Sequence, residues 1–158
     1  MPVSPTSPSM KTRGLAHDLE QAIPFLLARA GARMGNAFAR ALKDFDLSLS
    51  EWRVCASLRH APRQTLSELA AHASIDLSAL SRIVDRLVVR QLAARGRCET
   101  DGRAVRIALT AAGRALTTKI VPLARHYEVV ALEGFSAAET KRLRTMLRRL
   151  YENAAPLP

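Results

Sequence analysis

Cysteine is scarce in this chain of 158 residues: Cys55 and Cys98 are the only two. Two thiols do not make a disulfide framework, so packing must hold the fold together. Long apolar runs are missing as well. The longest candidate, 22–32, is broken by Arg29 and falls far short of the roughly 20 residues a bilayer span needs. With no secretory core segment either, a cytoplasmic protein without membrane contact is expected. Aromatic residues make up 4% of the chain against 48% hydrophobic, and alanine alone takes 27 positions. Such small side chains favour closely packed helices over a thick sheet core. Catalytic and metal-binding patterns are lacking too. His17, His60, His72 and His126 stand singly, and neither cysteine lies in a Cys-x-x-Cys arrangement. No nucleophile elbow, phosphate-binding loop or dinucleotide fingerprint occurs, so neither an enzyme nor a cofactor is expected.

Acidic residues are in deficit, 14 against 24 basic ones, for a net charge of +10. That surplus suggests a polyanionic partner, nucleic acid ahead of membrane. It is spread along the chain, however: +2 over 1–47, +4 over 48–110 and +4 over 111–158. Charge therefore supports a nucleic-acid reading only where a motif carries it.

The motif lies between Asp76 and Thr110. Leu80, Ile83, Val84, Leu87 and Val88 repeat at the helical period and share one face. Ser78, Ser81, Arg82 and Arg86 project from the opposite side, and Asp76 or Ser78 is placed to cap the start. Beyond Leu92 the period changes: Val105, Ile107 and Leu109 alternate with Arg106 and Ala108, as in a half-buried strand. Asp101-Gly102 marks a hairpin turn with Arg103 at its tip. A helix with one buried side and serines and arginines on the other suits a major groove. A basic hairpin beside it suits the adjoining backbone or minor groove.

Upstream, Ser48-Leu-Ser-Glu51 and Thr65-Leu-Ser-Glu68 are capping boxes that open two helices, and Ser136-Ala-Ala-Glu139 opens the last one. The connection 73–76 is tight enough for a helix-turn-helix. The expected class is mainly α with a small β-hairpin wing. A winged helix-turn-helix over 47–110 is flanked by a helix over 17–46 and by helices over 111–158. Each flank buries only a stripe, which implies a second copy of the chain to cover it. Residues 1–16, rich in proline and serine, read as a disordered arm. The arginines of the last helix (142, 144, 148 and 149) read as a solvated face.

The run from Asp76 to Leu87, followed by Asp101-Gly-Arg103 and then Leu109-Thr110-Ala-Ala-Gly113, resembles the multiple-antibiotic-resistance regulator (MarR) family. The likeness extends over about 19–151 and is sharpest over 47–113. One departure stands out: Gln91 occupies the place of the glycine that usually ends the recognition helix. There a left-handed residue is costlier without glycine. The resemblance implies a homodimeric, sequence-specific regulator of transcription, a repressor on a pseudo-palindromic operator, released by a small phenolic or aromatic acid.

Geometry assigns roles within that frame. Ser78, Ser81 and Arg82 lie on the half of the helix that enters the groove, where an arginine can read guanine. Arg86, a turn further on, meets phosphate. Arg103 reaches the minor groove or backbone, with Asp101 turning the hairpin and pairing with it. Gln64, Thr65 and Ser67 are placed to clamp a phosphate through free N–H groups at a helix start. For the effector, Met34, Phe38, Trp52 and Tyr127 are candidates to line a cleft, with Arg29 or His17 as the anion anchor. Each of these is equally open to a plain packing role. A competing scheme is redox control through Cys98, flanked by Arg95, Arg97 and Arg103, with Cys55 as an inert core thiol. Another is nonspecific coating of double-stranded DNA.

Overall fold

The structure, a computed structural model, describes residues 18–97 and 105–155. Two units divide the chain, Met1–Arg33 and Met34–Pro158. Among the described residues, six α-helices and one hairpin succeed one another: α1 (Ile23–Leu42), α2 (Leu49–His60), α3 (Leu66–Ala73), α4 (Leu77–Val89), β1 (Ala93–Arg97), β2 (Val105–Leu109), α5 (Ala111–Ala131) and α6 (Ala137–Ala154).

Local chemistry sets the helix starts. Ser48, Thr65 and Ser136 each accept from the backbone N–H three residues on, and the glutamate there reaches back to the capping residue's own N–H. Each box satisfies two donors that the first helical turn leaves open. Asp76 caps α4 by accepting from Ser78 N (3.0 Å) and Ala79 N (3.2 Å). Thr110 caps α5 through Gly113 N at 3.0 Å. Pro24 is the second residue of α1, where a missing N–H costs nothing.

Three segments end alike without glycine. Leu47, Ile75 and Leu92 donate backbone N–H groups to Leu42, Ala70 and Leu87, and the residues between, Asp46, Ser74 and Gln91, have φ of 51°, 51° and 56°. These are Schellman closures with the left-handed position filled by a side chain that favours other backbone regions.

In the second unit the core gathers around α4. Leu80, Val84 and Leu87 are fully enclosed, against Val54 and Leu58 of α2, Leu69 of α3, Ile107 of β2 and Ile120 of α5. This is the apolar stripe expected of the 76–89 segment, and Val88 lies half-buried at its edge. The hairpin is antiparallel with Ala93 opposite Leu109 and Arg97 opposite Val105, and Gln64 adds a bridge to Ile107. Ile107 and Leu109 face inward as the alternation requires, while Val105 stays exposed.

Gly113 explains why the Leu-Thr-x-x-Gly sequence works. A β-carbon there would lie 2.0 Å from the Leu92 carbonyl oxygen. That oxygen also accepts from Thr110 N at 3.1 Å, and the Thr110 hydroxyl donates to Gln91 O at 2.6 Å. The first turn of α5 is thus clamped to the exit of α4.

The end of α5 and the length of α6 leave apolar side chains in solvent, among them Val129, Phe135, Met146, Leu147 and Tyr151. In the first unit Leu19, Ile23, Leu26 and Leu27 are exposed. Among the described residues, no helix is long and apolar enough to cross a membrane, and no group of three or more metal-ligating side chains occurs.

Candidate nucleic-acid interface

Helix α4 presents its functional face by burying the other. Ser78 and Arg82 are exposed and Ser81 half-exposed, all on the first half of the helix, as the period requires. Asp76 both caps this end and accepts from the Ser78 hydroxyl, and these bonds hold its carboxyl below the ordinary range. Ser78 is therefore already engaged locally, whereas Arg82 is exposed and bonded to none of the described residues.

The far end of α4 is tied down electrostatically. Glu51, buried in the first turn of α2, lies 3.4 Å from Arg86 Nε and 3.8 Å from Arg90 Nη1; Arg90 also reaches Asp46 at 3.1 Å. Burial alone would push the Glu51 carboxyl up. Hydrogen bonding with Ser48 and the charges of Arg86 and Arg90 outweigh that and hold it below its ordinary 4.5. Arg86 was expected on phosphate; its side chain, 55% exposed, leans on Glu51 instead while keeping an open edge.

At the start of α3, Ser67 is exposed and Thr65 half-exposed, and the Thr65 N–H donates to Glu68 at 2.7 Å. Gln64 differs. It is buried, and its amide donates to the Ser57 and Ala61 carbonyls at 3.0 and 2.6 Å, satisfying the end of α2. The polarity of its side chain thus serves the fold.

The hairpin is lashed to both helices of the motif. Arg95 of β1 pairs with Asp85 of α4 at 2.8 Å. Arg106 of β2 donates to the Arg63 carbonyl at 2.8 Å and approaches Glu68 of α3 at 3.4 Å. These long-range pairs escaped the sequence reading. Asp101, Arg103 and Cys98 lie outside the described residues, as does His17.

The effector candidates are only partly assembled. Phe38 is buried between Trp52 and Tyr127, edge to face with each at centroid distances of 5.7 and 5.3 Å. Trp52 lines a cavity of about 450 Å³ with Arg53 and His72, whereas Tyr127 lines another of about 370 Å³ with Leu123 and His126. Met34 is exposed. Arg29 belongs to the first unit, where it pairs with Glu20 at 2.7 Å and lies over the Phe25 ring. Cys55 is enclosed in the core, and burial together with the nearby Glu51 charge pushes its thiol up to about 12. His60 and His72, separate in sequence, stack with ring centroids 5.4 Å apart.

The profile of the MarR family matches residues 47–105, the segment from the α2 cap to the second strand. The HTH-type transcriptional repressor Rv2887 of Mycobacterium tuberculosis is 30% identical over 137 residues, covering 87% of this chain and 97% of that protein. The chain belongs to the MarR family.

Solved members superpose on most of this MarR-family chain. BpsR of Bordetella bronchiseptica, whose DNA binding is regulated by 6-hydroxynicotinic acid, is 28% identical with a TM-score of 0.73, over 82% of this chain and 98% of that one. CouR of Rhodococcus jostii RHA1, solved with p-coumaroyl-CoA bound, is 26% identical with a TM-score of 0.78, over 85% and 95%. Helices, hairpin and connecting turns thus form a winged helix of the MarR type, a DNA-binding architecture that regulates transcription.

Proposed function

We propose that this protein is a sequence-specific, homodimeric repressor that inserts α4 into the major groove of a pseudo-palindromic operator. The observation that carries the reading is the face of α4: Arg82 stands open on the groove-entering half, while Leu80, Val84 and Leu87 anchor the other side in the core. Arg82 contacts a base edge, Ser78 and Ser81 flank it, Arg86 shares its guanidinium between Glu51 and a phosphate, and Thr65 and Ser67 meet the backbone. Arg103 grips alongside from the wing tip, positioned by Asp101. The unpartnered stripes of α5 and α6, and of the first unit, are the dimerisation surface of a cytoplasmic regulator with no catalytic role.

Twofold symmetry sets half-sites about 10 bp apart. A selection of genomic fragments followed by competition shift assays tests the reading. A specific regulator prefers its site by about 10³ or more over random duplex, and Arg82→Ala relaxes that preference whereas Arg103→Ala weakens binding broadly. A dimer touching roughly 6–10 phosphates loses about 10³–10⁵ in affinity between 50 and 200 mM salt. Equal affinity for all duplexes identifies a nonspecific coating protein instead.

Release by a small aromatic acid is the accompanying proposal. It is supported by the 6-hydroxynicotinic acid that regulates BpsR and by the Phe38–Trp52–Tyr127 cluster. Titrating such acids into the protein–DNA complex without release removes it. Cys55, buried with its thiol pushed up to about 12, is an inert core thiol; redox control would rest on Cys98, which lies outside the described residues.

A further inference from the structure

At the root of the wing lies a cavity of about 390 Å³ that none of these roles uses. Leu58, Pro62 and Leu109 give it an apolar lining, and Arg59, Arg63 and Arg114 converge on it from the end of α2, the α2–α3 link and the first turn of α5. Arginines 29, 86, 90, 95, 106 and 144 each pair with a carboxylate. Among the described residues, the three around this cavity pair with none, as holds for several other arginines; what marks these three is that they line one cavity.

Two of the three are held in place by neutral acceptors. Arg59 Nη1 donates to Thr118 Oγ1 and Arg114 Nη1 to the Leu109 carbonyl, both at 2.8 Å. One such bond leaves most of the five N–H donors of a guanidinium for a ligand. Arg63 has a left-handed backbone, φ 59°, which a β-carbon disfavours, and its carbonyl is fixed by Arg106. A loop kept in that conformation while carrying a cation toward two others is arranged against both strain and charge repulsion. An anion between them relieves the second.

We propose that this cavity binds a small organic dianion on a compact apolar body, the chemistry shared by aryl phosphates and aromatic dicarboxylates. The volume falls within the roughly 300–1,000 Å³ of small-molecule sites. Forked guanidiniums suit phosphate and carboxylate oxygens, and the leucine and proline walls give an aromatic body a surface that a bare ion does not use. The site shares no residue with the Phe38–Trp52–Tyr127 cluster. Its regulatory consequence rests on the DNA-binding reading. Arg63 O is bonded to Arg106, which pairs with Glu68, and Glu68 accepts from Thr65 N at 2.7 Å at the start of α3. Drawing Arg63 toward a ligand therefore displaces the wing strand and the DNA-facing end of α3 together.

The test is calorimetric titration of phenyl phosphate into the full chain without DNA, with sulfate and benzoate as comparison probes. The site predicts saturable binding of phenyl phosphate, about tenfold weaker binding of either probe, and a further loss of about tenfold in Arg63→Gln. Arg63 makes no side-chain bond to the described residues, so the variant keeps its thermal transition, and Arg63→Lys restores part of the affinity. Calorimetric silence, equal affinity for sulfate, or unchanged affinity in both Arg63→Gln and Arg59→Gln overturns the proposal. So does a loss of duplex binding in these variants without any phenyl phosphate heat, which marks the arginines as DNA phosphate contacts. A chain indifferent to every duplex sinks the regulator reading but leaves the calorimetric result standing.

Discussion

Replacing Gly113 with alanine sets two physical effects against each other with opposite signs. Gly113 is the third residue of α5, and by helix propensity alone alanine stabilises such a position by about 0.8–1 kcal/mol. Packing argues the other way. The new methyl would meet Leu92 O at 2.0 Å and Leu92 C at 2.9 Å, backbone atoms that cannot rotate aside, and the Leu109 side chain at 3.2 Å. Relief requires the start of α5 to move from β1 by about an ångström, overpacking of a kind that costs roughly 1–3 kcal/mol. The same movement stretches the bond from Thr110 N to Leu92 O, worth about 0.5–1.5 kcal/mol. The balance is a destabilisation of about 2 kcal/mol after the propensity gain is deducted. For a chain of this length the melting temperature should fall by about 4–8 °C. Chemical denaturation checks the free energy independently. Operator affinity should fall as well, because Leu92 N bonds to Leu87 O at the exit of α4 and passes the displacement to the recognition helix. A variant as stable as the parent, or more so, refutes the close-approach account of the Leu-Thr-x-x-Gly sequence.

Gln91→Gly should stabilise the fold by about 0.5–1 kcal/mol, the left-handed penalty less the entropy glycine gains when unfolded; an unchanged denaturation midpoint counts against it. Glu51 gives the acid limb of stability its sign. Its folded pKa lies below the ordinary 4.5, so its contribution is present above that value and is lost as pH falls through the folded pKa. Glu51→Gln keeps a capping acceptor for Ser48 but drops the charge, so its stability should vary less with pH below 4.5 than the parent's; parallel curves refute the assignment. Cys55, with its thiol pushed up to about 12, should resist thiol reagents in Cys98→Ser protein until denaturant is added. Prompt labelling there means the core opens.

How far the sequence carried depends on the range of each interaction. The three capping boxes, the Asp76 cap and the α4 stripe all formed as read, because each is decided within a few residues by hydrogen-bond reach and helical period. Contacts between distant segments were illegible. Nothing local announces that Glu51 meets Arg86, 35 residues away, or that Arg106 reaches back 43 residues to the Arg63 carbonyl. Glutamine is mostly a surface residue, so nothing in the local sequence announces that the Gln64 side chain is buried. Its burial follows from the carbonyls that end α2, a demand visible only once α2 and α3 are placed. His60 and His72 likewise read as solitary and stack only through the packing of two helix ends.

On the proposed reading, the wiring of Arg86 serves stability and recognition at once. An exposed helix arginine offered to DNA loses side-chain entropy when it settles on a phosphate. Glu51 has already restricted this one, and because Glu51 is itself fixed by the α2 cap, that restriction comes from the core rather than from another mobile surface chain. The carboxylate also dilutes the charge that Arg86 presents, so its attraction to phosphate is weaker than that of Arg82, for which no carboxylate partner occurs among the described residues. On that reading one end of α4 is left open for contact, while Arg86, Arg90 and the Asp85–Arg95 tie to the wing hold the other. Loss of the Glu51 charge should then blur the angle of the helix before it affects any base contact, and appear as weaker binding to all sequences with the order of preference intact.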